Sequence, residues 1–314
     1  MKLIIQIPCY NEEKTLPLTI ADLPKQIEGV DEIETLVIDD GSADNTIKLA
    51  KALNVTYIVE LKKNKGLARA FQTGIETCLK KGADIIVNTD GDNQYYGGDI
   101  VKLVDPILKG RADVVIGNRE TATIPHFSWF KKRLQQLGSF FIRRLSRTNM
   151  PDAVSGFRAY SRNAALGINV FSEFSYTIEN LIQFGNSKVN IESVNIRTNE
   201  KLRPSRLFKN IFIFISRQLT TMVRAYSTYR ALKVFTLAGI VFALPGMIGF
   251  IRFLYFFAIG EGNGHVQSLV FSTVSVLIGF FLFMFGIIAD LISNNRKLIE
   301  QVLKMIKEDK WQQK

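Results

Sequence analysis

The sequence predicts an α/β domain with a mostly parallel, doubly wound sheet, followed by a hairpin of two transmembrane helices. Three observations support this fold class. Short apolar strands alternate with helical patterns through the first half of the chain, which is typical of parallel sheets with helices on both faces. Acidic and polar residues directly follow several of those strands. Two apolar runs, residues 234–259 and 266–292, each exceed the roughly 20 residues that a membrane-spanning helix needs.

The alternation places each element of the N-terminal domain, residues 1–202. Strands are predicted at residues 3–8, 35–38, 57–59, 85–88 and 114–117. Helices are predicted between them at residues 12–26, 44–53, 66–81 and 98–108. The polar–apolar alternation of residues 189–196 predicts one more strand at the margin of the sheet.

Three further segments follow this domain. Residues 203–232 mix aromatic and aliphatic residues with arginines, which predicts amphipathic helices in the membrane interface, or alternatively a late core helix of the domain. Residues 233–292 hold the two spans, and Pro245-Gly246 permits a kink in the first. Residues 293–314 place apolar residues at helical spacing between lysines. This tail is either a helix lying on the membrane surface or a contact in a homo-oligomer.

The distribution of charge predicts how the chain lies in the membrane. The whole chain has a net charge of +11, and lysines and arginines flank the two spans, whereas the connecting loop 260–265 has none. The positive-inside rule therefore places the N-terminal domain and both ends of the hairpin in the cytoplasm. We expect a multi-pass protein of the cell inner (plasma) membrane, whose basic flanks bind anionic lipid rather than nucleic acid.

The most informative motif is Asp90-Gly91-Asp92-Asn93-Gln94, which closes the fourth predicted strand. Two carboxylates one position apart leave the same face of an extended backbone. The carboxyl end of a parallel strand is also where α/β sheets bind ligands. Mg²⁺ or Mn²⁺ is held by one or two such carboxylates, with substrate phosphates completing its shell. The motif predicts a metal-dependent enzyme acting on a phosphorylated donor, with a simple Asp-Gly turn as the alternative.

Two other strand ends are also polar. The first strand ends in Pro8-Cys9-Tyr10-Asn11-Glu12 and the second in Asp39-Asp40-Gly41-Ser42. Carboxylates at these ends can accept hydrogen bonds from a nucleobase N–H or a ribose hydroxyl, although Asp-Asp-Gly-Ser alone is also typical of a turn and helix N-cap. The first loop contains neither G-x-G-x-x-G nor a Walker A lysine, which argues against a dinucleotide or P-loop site.

Taken together, the motifs resemble the family 2 glycosyltransferases, whose nucleotide-sugar-binding domain has the GT-A fold. The further segments that carry the resemblance are Asn64-Lys65-Gly66-Leu67-Ala68-Arg69-Ala70, Ile116-Gly117-Asn118-Arg119, Asp152-Ala153-Val154-Ser155-Gly156-Phe157-Arg158 and Leu202-Arg203-Pro204-Ser205-Arg206. With the membrane hairpin added, the chain is similar to the polyprenyl-phosphate branch, of which dolichol-phosphate mannose synthases are members. That branch often has proline after the glutamine, where this chain has Tyr95-Tyr96-Gly97-Gly98.

The resemblance implies a role for each motif. The nucleotide sugar would be bound by Pro8, Tyr10, Glu12, Asp39, Asp40, Lys65, Gly66 and Asp90. The metal, Mg²⁺ or Mn²⁺, would be surrounded by Asp90, Asp92 and Gln94. The acceptor phosphate would be bound by Arg119, Arg133 (or the adjacent Lys132), Ser205 and Arg206. The residues closest to the chemistry would be Asp92, Asp152 and Arg119.

The implied activity is transfer of a hexose, with inversion, from a UDP- or GDP-linked sugar to a polyprenyl phosphate. The Thr-Glu-Asp and Gln-x-x-Arg-Trp motifs of processive polysaccharide synthases do not occur in the chain. Two alternatives stay open at this point. One is transfer to another lipid such as diacylglycerol, whose neutral hydroxyl would need a general base. The other is a non-catalytic membrane scaffold for a glycan-assembly complex.

Overall fold

The structure of the chain is a computed structural model that describes residues 1–119, 148, 150–170, 176–187, 189–200 and 211–312. It contains two compact units. One consists of Met1–Met222 with Val302–Lys314, and the other of Val223–Gln301. The predicted catalytic domain belongs to the first unit and most of the predicted membrane hairpin to the second.

A seven-stranded mixed sheet forms the centre of the first unit. In chain order, strands β1 to β7 are Lys2–Cys9, Glu32–Asp39, Tyr57–Glu60, Ile85–Asn88, Val114–Asn118, Arg158–Ser161 and Ile191–Asn195. They lie side by side in the order β3-β2-β1-β4-β6-β5-β7. Every neighbouring pair is parallel except the two that involve β6, which runs antiparallel to β4 and β5. The predicted parallel character and the marginal position of the last strand are confirmed.

Strand β6 was not predicted, because its four residues, Arg-Ala-Tyr-Ser, show no apolar alternation from which a strand could be read. It is held in place by tertiary pairing: Val87 lies opposite Ala159, which in turn lies opposite Val115. The sheet is therefore mostly parallel, as predicted, with β6 as its one antiparallel strand among the described residues.

Six helices pack around the sheet in the described part of the first unit. Helices α1 to α6 are Leu16–Ala21, Thr46–Ala52, Leu67–Lys80, Ile100–Leu108, Arg162–Leu166 and Tyr176–Asn186. The helix predicted at residues 12–26 is much shorter than expected. Turns occupy its predicted start, where Thr15 N donates to the Glu12 carbonyl. Pro24 limits the other end, because the residue before a proline disfavours the helical conformation.

Seven consecutive residues of β1, from Leu3 to Cys9, are buried, so the sheet is covered on both faces. Leu3, Ile5 and Ile7 belong to one apolar core together with Leu16 of α1 and Leu103 of α4. Helix α3 lies against the opposite face of β1 and β2, where a Cβ on Gly74 would lie 2.8 Å from Ile38 Cδ1. Each aliphatic side chain fully buried in this way stabilises the fold by about 1.5–3 kcal/mol.

Two long apolar helices extend through the second unit. Helix α7 is Ile211–Ala258 and helix α8 is Val266–Gln312. By length and composition, Arg230–Ala258 and Val266–Trp311 could each cross a membrane. Helix α7 contains Pro245 within it, and its non-helical backbone lies at Arg230.

Small residues bring the two helices of the hairpin close together. A Cβ on Gly239 would lie 2.8 Å from the Gly279 carbonyl oxygen, and a Cβ on Gly279 would lie 2.7 Å from Ala243 Cβ. Such close approach of backbones is typical of helix pairs in membranes. Large apolar side chains such as Phe271, with 82% of its surface exposed, face outward. This surface is suited to lipid rather than to water.

The predicted tail, residues 293–314, is continuous with the second span, because α8 extends to Gln312. The part that belongs to the first unit contacts that unit through polar groups. Lys307 Nζ donates to Asn169 Oδ1 at 3.0 Å, and Arg162 Nη2 donates to the Trp311 carbonyl at 3.4 Å. The homo-oligomer stays a prediction.

Candidate active site

Most of the predicted site residues lie at the carboxyl edge of the parallel strands. Strands β1 and β4 are neighbours, while β2 lies on the other side of β1, so the topological switch point falls between β1 and β4. Ligands bind in the crevice at such a point. The segments after both strands, residues 10–13 and 90–94, flank this crevice. Because β6 is antiparallel, the segment 150–157 that precedes it reaches the same edge.

The loops after β1 and β2 are tied to each other by hydrogen bonds. Asn11 N donates to Ser42 Oγ at 2.8 Å, and Asn11 itself has a φ of 55°. The buried Glu12 accepts a hydrogen bond from Thr15 Oγ1 at 2.8 Å, so its carboxylate also organises the start of α1. Tyr10, directly after β1, is 42% exposed.

Asp39 has one carboxylate oxygen that no described residue satisfies. Its Oδ2 accepts hydrogen bonds from Gly41 N at 3.1 Å and Ser42 N at 2.9 Å. Its Oδ1 is buried and has no hydrogen-bond partner among the described residues. A buried acceptor left unpaired destabilises the protein by about 1–3 kcal/mol. A ligand N–H or O–H would relieve this, which fits the predicted contact with the nucleotide.

Asp40 makes different contacts, although it is the next residue. Its two oxygens accept hydrogen bonds from the backbone N–H groups of Lys65 and Gly66, both at 2.8 Å. Burial raises the pKa of Asp40, in spite of these hydrogen bonds, which lower it. Asp40 therefore shapes the loop before α3, and Lys65 and Gly66 contribute to this scaffold through their backbone.

Asp90 and Asp92 are half-buried on either side of the buried Gly91. Asp92 Oδ1 accepts a hydrogen bond from Gln94 N at 3.1 Å, across a turn in which Asn93 has a φ of 54°. The turn gathers two carboxylates and a side-chain amide at the end of β4. These hard oxygen donors are the ligands that Mg²⁺ and Mn²⁺ prefer. The residues present therefore fit the predicted metal.

The backbone of Gly156 approaches the first of these carboxylates. A Cβ on Gly156 would lie 3.2 Å from both carboxylate oxygens of Asp90. Gly156 N donates to the Tyr95 hydroxyl at 3.0 Å. Asn88 Nδ2 donates to the Gly156 carbonyl at 2.8 Å and to the Tyr176 hydroxyl at 3.0 Å. A side chain at residue 156 would therefore crowd the Asp90 carboxylate.

Tyr95, Asn88 and Tyr176 were not predicted as site residues. Burial raises the pKa of Tyr95 to about 12, so its hydroxyl is protonated at neutral pH. The sequence did contain a signal for Asn88, which is a polar residue at the end of an otherwise apolar strand. No local signal identifies Tyr176, which lies 88 residues further along the chain than Asn88.

Arg119 and Asp152 form a bidentate ion pair. Arg119 Nε donates to Asp152 Oδ2 at 2.7 Å, and Nη2 donates to Oδ1 at 2.9 Å. The two side chains are 17% and 3% exposed. Both residues were predicted to lie near the chemistry, and the structure brings them together. The pair uses two of the five N–H donors of the guanidinium, so Arg119 retains donors for an acceptor phosphate.

Arg158, which is fully buried, holds the segment that carries Asp152. Its guanidinium donates to the carbonyls of Ser155 and Ala153, both at 2.8 Å, and to the Thr177 carbonyl at 3.0 Å. Three carbonyl acceptors around one buried cation make Arg158 a structural residue. They fix the turn between Asp152 and β6.

The remaining predicted acceptor residues, Arg133, Ser205 and Arg206, lie outside the described residues, as does Lys132. Their roles stay predictions. Among the predicted residues that the structure describes, the Asp90–Gln94 turn, the Asp39 carboxylate and the Arg119–Asp152 pair lie at one edge of the sheet.

Several known proteins are similar to this chain in sequence. Residues 4–167 match the glycosyl transferase family 2. Over 220 residues the chain is 32% identical to the UDP-N-acetylglucosamine–dolichyl-phosphate N-acetylglucosaminyltransferase of Methanococcus voltae, covering 61% of this chain and 83% of that one. Over 177 residues it is 29% identical to the undecaprenyl-phosphate mannosyltransferase of Micrococcus luteus, covering 54% and 70%.

A solved structure has the same fold. Glucosyl-3-phosphoglycerate synthase from Mycobacterium tuberculosis, in complex with Mn²⁺, UDP and glucosyl-3-phosphoglycerate, superposes with a TM-score of 0.55. The match covers 72% of this chain and 78% of that one, at 19% identity. It confirms the predicted GT-A fold. Because the matching region spans more than half of the chain and includes the site at the sheet edge, the chain belongs to glycosyl transferase family 2 and is a glycosyltransferase.

Proposed function

We propose that this enzyme transfers a hexose, with inversion, from a UDP- or GDP-linked sugar to a polyprenyl phosphate at the cytoplasmic face of the plasma membrane. One observation carries the proposal: a family 2 site with paired acidic residues and a phosphate-compatible arginine precedes two helices long enough to cross a membrane. The two relatives described above are named for dolichyl phosphate and undecaprenyl phosphate.

The donor would lie in the crevice between the ends of β1 and β4. Asp39 Oδ1, buried without a partner among the described residues, would accept a hydrogen bond from the base. Pro8 and Tyr10 would line the base, with Glu12 below them, and the loop that Asp40 holds would close the nucleotide side. A base stacked on an exposed tyrosine gains about 1–3 kcal/mol.

A divalent cation, Mg²⁺ or Mn²⁺, would be held by Asp90, Asp92 and Gln94. When bound, it would neutralise the negative charge that develops on the departing nucleoside diphosphate. The backbone of Gly156, whose N–H donates to the Tyr95 hydroxyl, lies close to the Asp90 carboxylate. The mycobacterial synthase with the same fold was crystallised with Mn²⁺ and UDP, which supports this assignment.

The acceptor would be held by guanidinium groups rather than activated by a base. A phosphate monoester has its second pKa near ~6, so the lipid phosphate is already substantially ionised at cytoplasmic pH. Its oxygen can then attack the anomeric carbon directly once it is positioned. Arg119, whose orientation is fixed by Asp152, offers paired donors to such a phosphate. Arg133, Ser205 and Arg206 would complete this acceptor site.

The experiment that tests the proposal combines a substrate panel with one variant. Purified full-length protein in detergent is given radiolabelled UDP- and GDP-hexoses together with undecaprenyl phosphate, dolichyl phosphate or diacylglycerol. We expect lipid-linked sugar only with a phosphate acceptor, and only with Mg²⁺ or Mn²⁺ present. Asp92→Asn should abolish transfer, because the diphosphate loses a charge partner when its charge develops. Transfer to diacylglycerol, or full activity of Asp92→Asn, would contradict the proposal.

A further inference from the structure

The chain segment that follows β7 is paired with the metal-binding turn. We call Arg197, Thr198 and Asn199 the 197–199 clamp. Tyr96 N donates to the Arg197 carbonyl at 3.3 Å, and Asn199 N donates to the Gln94 carbonyl at 2.9 Å. Between these bonds, Thr198 lies opposite Tyr95 in an antiparallel bridge. The loop after β4 is thus extended into a short ladder that is outside the main sheet.

The side chain of Asn199 is surrounded by oxygen acceptors of the metal-binding turn. Its Nδ2 lies 3.1 Å from the Asn93 carbonyl oxygen, 3.4 Å from Asn93 Oδ1 and 3.4 Å from the Tyr95 carbonyl oxygen. Asp22, at the end of α1, has its Oδ2 3.4 Å from the same Nδ2. Asp22 Oδ2 also accepts a hydrogen bond from Gly97 N at 2.7 Å. One amide group therefore ties together both sides of Gln94 and the end of α1.

The other end of the clamp is an ion pair. Arg197 donates to the Asp99 carboxylate through its backbone N at 2.6 Å and through Nη2 at 2.7 Å. Its guanidinium carbon lies 4.0 Å from the centre of the Tyr96 ring. The Asp99 side chain is 1% exposed, and Lys102 Nζ contacts its Oδ1 at 3.0 Å. The loop from Asn93 to Asp99 is fixed at both ends by the same short segment.

The turn that is fixed in this way contains a residue in the left-handed region. Asn93 has a φ of 54°, a conformation that asparagine adopts more readily than other non-glycine residues. Within the turn, Gln94 N donates to Asp92 Oδ1 at 3.1 Å. The 197–199 clamp adds contacts from a distant part of the chain to this local hydrogen bond.

We infer that Asn199 and Arg197 are positioning residues that hold the Asp92–Gln94 turn in its metal-binding shape. This inference rests on the proposed function, because it assigns the turn to a divalent cation. Residues that orient metal ligands without touching the metal typically change affinity by 10–100-fold when they are substituted. The clamp also leads into residues 202–206, the predicted acceptor segment, so it links the chain regions that meet donor and acceptor.

The test measures Mn²⁺ binding directly on the full-length protein. Free Mn²⁺ is followed by electron paramagnetic resonance as protein and UDP or GDP are added, with thermal unfolding recorded for each variant. We expect Asn199→Ala to weaken Mn²⁺ binding roughly tenfold. Asn199→Asp should weaken it further, because a carboxylate would face three oxygen acceptors and Asp22. At saturating Mn²⁺, Asn199→Ala should recover most of the wild-type transfer rate.

Lys102→Gln is the matched control. Lys102 contacts the same Asp99 carboxylate from outside the clamp, so its loss should lower stability slightly and leave Mn²⁺ affinity unchanged. Arg197→Lys keeps the charge but loses the paired donors, so it should weaken Mn²⁺ binding even if an Asn199 variant fails to fold. If folded Asn199→Asp or Arg197→Lys binds Mn²⁺ as tightly as the wild-type protein does, the inference is overturned. The proposed function would be unaffected by that result. If the wild-type protein itself binds no Mn²⁺ with either nucleotide, the proposed function fails and the inference with it.

Discussion

At the residue scale, the site illustrates how neighbouring residues of one type take different roles. Asp39 and Asp40 follow each other, yet successive side chains of an extended strand point in opposite directions. Asp40 is turned toward the backbone of Lys65 and Gly66, which occupies both of its oxygens. Asp39 keeps one buried oxygen without a partner among the described residues. The sequence assigned the same role to both, and the structure distinguishes them.

The Arg119–Asp152 pair leads to a prediction at this scale. Arg119→Lys should impair transfer to lipid phosphate while leaving nucleotide-sugar affinity nearly unchanged, because lysine cannot reproduce the paired donors of a guanidinium. It should also reduce stability by roughly 1–2 kcal/mol, since one of two hydrogen bonds to Asp152 is lost. Donor affinity, transfer rate and unfolding temperature are measured separately. Arg206→Lys should likewise impair transfer to lipid phosphate.

Asp152→Asn supplies the comparison that separates an acceptor role from a structural one. It weakens the pair but leaves the arginine in the site, so acceptor binding should persist. If Arg119 only supports the fold, the two variants should lose transfer to the same extent. A parallel loss of donor binding and transfer in Arg119→Lys would place this arginine in the nucleotide site instead.

At the scale of elements, the site depends on loops that pack closely against one another at one edge of the sheet. The antiparallel β6 brings the segment with Asp152 and Gly156 to the edge where β4 ends. The loops after β2 and before α3 meet at Gly41, which has a φ of 75°. A Cβ there would lie 2.7 Å from the Lys63 carbonyl carbon and 2.8 Å from Asn64 N. Backbone thus packs on backbone beside the predicted nucleotide site.

Gly41→Ala should therefore destabilise the first unit by roughly 2 kcal/mol or more, because it adds a clash to a left-handed conformation. It should also weaken nucleotide binding, since Asp40 can no longer draw the Lys65–Gly66 loop into place. Gly82→Ala is the matched control: Gly82 has a φ of 80°, but a Cβ there meets nothing within 4 Å. It should lower stability by only about 1 kcal/mol. Equal losses in denaturant unfolding would refute the packing argument.

At the scale of the whole molecule, a catalytic unit and a membrane unit are combined in one chain. The helices of the second unit are covered with exposed apolar side chains and contact each other through glycines. Apart from Arg252 within the first span, the lysines and arginines of the hairpin lie at its outer ends, and the connecting loop 260–265 contains none. A membrane anchor of this kind would place the enzyme beside the lipid acceptor that we propose.

The topology can be tested with introduced cysteines. Asn263→Cys should react with a membrane-impermeant maleimide added to intact cells, whereas Gln313→Cys should react only after permeabilisation. The native Cys9 and Cys78 are both buried, so the wild-type protein provides a low background. Reversed labelling would place the catalytic unit outside the cell, away from cytoplasmic nucleotide sugars.

The sequence by itself determined the parts of this protein that depend on short-range patterns. Apolar periodicity identified the parallel strands and the two spans, and local spacing identified the Asp90–Asp92 motif, because both follow from neighbouring residues along one element. Only the tertiary structure decided the place of β6 and the contacts made across long separations. Arg119 meets Asp152 across 33 residues, and Asn199 meets Asn93 across 106. Such contacts depend on how strands are ordered in the sheet, and no local pattern encodes that order.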